Sequence, residues 1–144
     1  MEIISSGKDH YILRLAYGEE LRQALENFCA ENSIKAAWFN AIGATKEAEI
    51  AVYNLQAKKY DTKQFSEMME IVGVIGDISV MDNKPFMHAH GTFARPSFEV
   101  IGGHIMKCVI SATCEIYLWN LGGRMDRKQD EFTGLHLLCA EKSI

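Results

Sequence analysis

The spacing of apolar and polar positions divides this chain into one helical stretch and a series of strands. Leu21, Ala24, Leu25, Phe28 and Cys29 follow the i, i+3, i+4, i+7, i+8 rule that lays one apolar stripe along a helix, and Arg22, Gln23, Glu26 and Asn27 fall on its other side. Gly18 interrupts the segment before it, and Glu19 and Glu20 put negative charge in the first turn, where the helix dipole favours it. Asn32 and Ser33 end the helix. The stripe reads as a core face, with nothing in it to hold a cofactor.

Elsewhere the period is two. Residues 10–17 alternate as a strand with Ile12 and Arg14 on one face, and residues 36–42 and 49–54 read as strands joined by a polar connection, with a bulge or bend at Gly43. Lys58 to Asp61 reads as a turn with solvated lysines, and residues 72–80 as a strand whose glycines let another backbone come close. Between them, residues 65–71 are ambiguous: Ser-Glu-Met-Met-Glu suits a helix, while its surroundings suit a strand. Residues 82–85 form a turn. In residues 109–121, Ile110, Ala112, Cys114, Ile116 and Leu118 alternate with Ser111, Thr113, Glu115, Tyr117 and Trp119, so Glu115 faces solvent or a subunit contact. Residues 122–131 read as a polar, mobile loop, and residues 132–140 as a last strand carrying His136. The fold class is α+β: a mainly antiparallel β-sheet with one principal amphipathic helix packed on it, in a single domain over residues 1–144.

Chemistry gathers between Phe86 and Ile105, which hold His88, His90 and His104 about a turn at Arg95-Pro96-Ser97. A hairpin folded at Pro96 sets His88 opposite His104 and His90 opposite Gly102, with all three imidazoles on one face beside a cleared spot. A slip of one residue would send His104 to the other face. Three neutral imidazoles with an open fourth position suit a divalent metal, zinc first. The competing reading is a set of strand histidines that hydrogen-bond in a core or line a subunit interface. His10 and His136 lack such company and carry no assigned role. A cupin pattern also begins His-x-His, but the first carboxylate after His90 is Glu99, too far along for it.

The same residues carry a family likeness. His-Ala-His followed by Ile-Gly-Gly-His-Ile, an opening Arg-Leu-Ala-Tyr-Gly-Glu and a later Thr-Cys-Glu together resemble the plants-and-prokaryotes-conserved (PPC) domain from about Tyr11 to Leu138. The resemblance tips residues 65–71 toward strand and implies a compact α+β domain that associates as a trimer. It also marks Arg14, Gly102, Gly103 and Glu115 as candidate ligand-binding residues. Plant members of the family carry a separate AT-hook for DNA. Here the Arg-Gly-Arg-Pro core of that hook is absent, and Asp126 and Asp130 dilute Arg124, Arg127 and Lys128.

Composition narrows the functions further. A net charge of −4 opposes non-specific nucleic-acid binding, so direct DNA contact is expected to be weak or absent. There is no charged-then-apolar leader and no apolar run of spanning length, which points to the cytoplasm and away from membranes. Cys29, Cys108, Cys114 and Cys139 sit in apolar or amphipathic stretches and read as small hydrophobes more readily than as thiolates, though Cys108 shares a strand face with His104. Two functions remain open. One is a trimeric binding or regulatory module with protein partners, a possible association with DNA and a three-histidine divalent-metal site. The other is a zinc-dependent hydrolytic enzyme using the same histidines. The module leads because Glu99 falls in the turn and Asp77 and Glu115 lie on other strands, which leaves no evident general base.

Overall fold

A computed structural model describes residues 1–140. Its strands are β1 (Glu2–Ser6), β2 (His10–Leu15), β3 (Ala37–Asn54), β4 (Lys59–Phe65), β5 (Met69–Met81), β6 (Lys84–Ala94), β7 (Val100–Asn120), β8 (Arg127–Gln129) and β9 (His136–Leu138), with one helix, α1 (Leu21–Glu31). The first seven strands form one sheet in the order β1-β2-β7-β6-β5-β3-β4, and every strand pair is antiparallel. An added β7–β3 pairing closes β7, β6, β5 and β3 into a barrel. The expected fold class, a mainly antiparallel sheet with one packed amphipathic helix, is the one observed.

Alternation along the strands sends Phe39, Val74, Ile78, Met87, Phe93, Ile105, Ile116 and Leu118 into a core with no more than traces of exposure. Burying a side chain of this size contributes roughly 1.5–3 kcal/mol. Leu21, Leu25, Phe28 and Cys29 bring α1 onto β6 and β7, as their spacing requires. Glu20 stands one position ahead of the first turn rather than in it. As N-cap it accepts hydrogen bonds from the backbone of Arg22 and Gln23, and it also accepts one from Cys108 N at 3.1 Å.

Several expectations change. The polar connection between residues 42 and 49 does not exist, because β3 runs unbroken from Ala37 to Asn54 with register shifts between Ala41 and Ile50. Gly43 sits at the first shift, where a Cβ would lie 2.2 Å from the Thr113 carbonyl oxygen. The turn near residue 58 comes earlier than expected, leaving Tyr60 and Asp61 inside β4. Residues 66–68 are a loop, and the strand resumes at Met69. Asp82 and Asn83, with φ of 50° and 61°, form a two-residue hairpin turn of the kind that matches strand twist, so Lys84 and Pro85 already belong to β6. β1 was not expected at all.

The largest revision is at the C-terminal end. Residues 122–131 are not a free loop, and the expected last strand carrying His136 is present but short, β9 covering only His136–Leu138 and lying outside the main sheet. There β8 and β9 pair as a small separate hairpin laid against β5. Arg127 on β8 pins it, with Nε donating to Ser79 Oγ at 2.7 Å and Nη2 donating to both Asp77 carboxylate oxygens at 2.9 and 2.8 Å.

Candidate metal centre

β6 and β7 form a hairpin with His90 opposite His104, Gly91 opposite Gly103 and Thr92 opposite Gly102. The expected pairing of His88 with His104 is therefore displaced by two residues. The turn spans Arg95 to Glu99 and places Phe98 at φ 65°, so it centres one residue later than Pro96. A displacement of two preserves the alternation of faces, and the three imidazoles still converge. Ring centroids lie 5.2–5.5 Å apart, and one ligand nitrogen from each lies within 4.8 Å of the others.

The glycines beside them sit at close strand contacts. A Cβ at Gly102 would stand 2.6 Å from the Gly91 carbonyl oxygen, and one at Gly103 would stand 2.7 Å from that of Ala51. Both positions let strands approach closely. Arg14 and Glu115 face each other in the β2–β7 register, away from the imidazoles, and Arg14 donates to Glu2 at 2.6 Å.

Four side chains that the sequence did not single out complete the surroundings. Tyr60 stacks on His104 with centroids 4.8 Å apart. Asp77 sits opposite His88 in the β5–β6 register, its Oδ2 3.6 Å from His88 Nδ1. An acid is thus beside the cluster, contrary to expectation, because β5 and β6 are neighbours. Burial alone would raise the Asp77 carboxyl, but contacts from His88 and the Arg127 guanidinium hold it below its usual range. Arg22 reaches from α1 and donates to the carbonyls of Met87 and Ile105 at 3.2 and 2.7 Å, and Arg22 and Arg127 lie over the Phe86 ring at 5.6 and 5.7 Å. Arg22, Tyr60, Phe86 and Arg127, with His88, His104 and His136, border a cavity of about 290 Å³.

His104 is 8% exposed, and its Nδ1 is buried without a hydrogen-bond partner among the described residues. Leaving such an atom unmatched costs about 1–3 kcal/mol. Burial first, then the charges of His88, His90, Arg22 and Arg127, push the His104 imidazole down to about 4, so it is neutral at physiological pH. A neutral, buried imidazole with an unmatched nitrogen, grouped with two others, fits a cation.

The same shift has a measurable consequence. Between the ordinary histidine value of 6.5 and about 4, the unfolded chain takes up a proton that folded His104 refuses. Stability of the metal-free protein is therefore expected to be level above that window and to fall as pH drops through it. Calorimetry at pH 7.5 and 4.5 checks this, and His104→Phe should lose part of the difference.

Fold and cluster together define a small α+β barrel protein with three histidines on one hairpin. The chain belongs to the Plants and Prokaryotes Conserved (PCC) domain family, whose pattern matches residues 3–122. Among solved structures, it is similar to a metal-containing protein from Archaeoglobus fulgidus, with 35% identity, coverage of 97% and 99% of the two chains and a TM-score of 0.87. A plant- and prokaryote-conserved protein from Pyrococcus horikoshii gives 30%, 97% and 100%, and 0.85. A candidate DNA-binding protein from Bacteroides thetaiotaomicron gives 29%, 94% and 94%, and 0.90. The bifunctional protein GlmU of Synechococcus sp. (strain JA-3-3Ab) is 30% identical over 135 residues, 92% of this chain. The chain spans about a fifth of the length of the curated relatives it matches.

Proposed function

We propose that this chain is a homotrimeric binding module of regulatory or scaffold type, built around a zinc ion held by His88, His90 and His104. The observation that carries the metal reading is the buried, unpartnered nitrogen of His104 among three imidazoles drawn within 4.8 Å. The description of the Archaeoglobus relative as metal-containing supports it. Zinc suits three neutral nitrogen ligands and an open fourth position, where it supplies Lewis acidity. The chain's own part is positioning: Asp77 orients His88, and Tyr60 holds the His104 ring in place. Elemental analysis of tag-free protein is expected to find one zinc per chain, and a metal content near zero after purification in zinc-containing buffer would overturn the reading.

The trimer rests on the outer sheet face. There Trp38 pairs in register with Trp119, and Ile42, Val72 and Ile75 stand about half exposed. An apolar surface of this kind calls for a partner, and identical chains closing on one another provide it. Ile75 is opposite His90, which puts the histidines near the subunit boundary. A cytoplasmic location fits Cys29, Cys108 and Cys114, which are buried and free.

The Bacteroides relative's description raises association with DNA. The net charge of −4 makes direct contact weak. Titration of a labelled A·T-rich duplex at near-physiological salt is expected to give a Kd above about 1 µM and no sequence preference. Sub-micromolar, sequence-selective binding would contradict this.

Zinc-dependent hydrolysis by the same histidines is a second reading, favoured by the cavity beside them. Against it, Asp77 is engaged by Arg127 and held acidic, which makes it a weak base. Turnover of p-nitrophenyl acetate that requires zinc and vanishes in His104→Ala would move the chain to the enzymes.

A further inference from the structure

We infer that the cavity beside the three histidines takes a small organic carboxylate, with its charged end on the histidine-held cation and its apolar body against Phe86 and the β8–β9 hairpin. The inference rests on the metal reading above and deepens it. Its first support is charge. Three neutral imidazoles bring no negative charge to a divalent ion, and among the described residues the charged side chains bordering the same cavity are both cationic, Arg22 and Arg127. Asp77 is committed to Arg127 at 2.8 Å, and Glu26 stands 3.9 Å from Arg22 while accepting Met87 N at 3.0 Å. The two guanidiniums are thus balanced by two carboxylates, and the ion's own charge stays unmatched in a half-enclosed site. Such a charge draws an anion into the open coordination position.

The second support is the set of remaining donors. Arg22 Nε is buried with no partner among the described residues, whereas each nitrogen of Arg127 already donates to Ser79, His136 or Asp77. One spare guanidinium donor beside a cation matches a carboxylate better than a phosphate, which needs more donors. The third support is the lining. Phe86, Met106, Leu135 and Leu137 make much of the wall apolar, and about 290 Å³ holds roughly ten water-sized groups. A bare inorganic anion would leave that wall wet, and a short hydrocarbon chain would cover it.

Cobalt(II)-loaded full-length protein provides the test, because its visible absorption reports the metal's coordination. Butyrate is expected to shift the spectrum saturably in the millimolar range, with butyramide inert and phosphate weaker. Arg22→Gln should weaken butyrate about tenfold or more while leaving cobalt uptake unchanged. Because Arg22 also ties two backbone carbonyls, Leu137→Asp on the exposed hairpin is a second variant, expected to weaken butyrate by repulsion without touching those bonds. Failure of cobalt to bind would overturn the metal reading itself. Cobalt that binds but whose spectrum ignores butyrate, or responds equally to butyramide or phosphate, would overturn this inference alone.

Discussion

His104→Ala is expected to reduce zinc affinity by more than the 10–100-fold that follows loss of an outer-shell partner, since on the proposed reading a ligand itself is removed. His104 is the most buried of the three histidines and the one held by a neighbouring ring, Tyr60. Without it, His88 and His90 remain as an i, i+2 pair on one strand, one of them half-buried and the other exposed. Nothing then encloses the ion or strips its water. Competition against a chromophoric chelator measures the effect. His136→Ala, which alters the cavity rim and leaves the three-histidine cluster intact, should bind zinc as wild type does. Equal uptake by wild type and both variants would remove the three histidines from consideration.

Ile75→Asp is expected to convert the proposed trimer into monomers at low micromolar concentration, read by light scattering. Ile75 is 56% exposed on the outer face of β5, between Asn40 of β3 and His90 of β6. Its substitution touches no core contact, so the fold should survive with an unchanged circular dichroism spectrum. In a closed ring of three, the new carboxylate enters an apolar contact in every copy, and each unpaired buried charge costs several kcal/mol. A monomeric wild-type mass under the same conditions would sink the trimer outright.

What the sequence made legible was what depends on short range. The helix announced itself because its apolar positions repeat within eleven residues. The convergence of His88, His90 and His104 was readable because parity survives a two-residue error in register, and that error arose at a turn whose unusual residue is Phe98, not glycine. Tyr60, Asp77, Arg22 and Arg127 were not readable as site residues. Each reaches the site through a partner far along the chain; Arg127 and Asp77 lie fifty residues apart. Arg22 occupied the polar side of an ordinary amphipathic helix, and only the packing angle of α1 turns that side toward the barrel. The strands of the β8–β9 hairpin, three residues each, are too short to show a period.

All three histidines belong to one hairpin, and this fixes an order of events during folding. The β6–β7 connection joins near neighbours in sequence, and a hairpin of this kind closes in about 1–10 µs. Closing the barrel requires Ala37 to find Asn120, a far larger loop, and topologies dominated by such pairings fold in milliseconds to seconds. The imidazoles are therefore neighbours long before Tyr60 and Arg127 arrive to enclose them. On the proposed metal reading, a divalent ion would meet its ligands on a half-formed chain, and the later strands would close over a site already chosen.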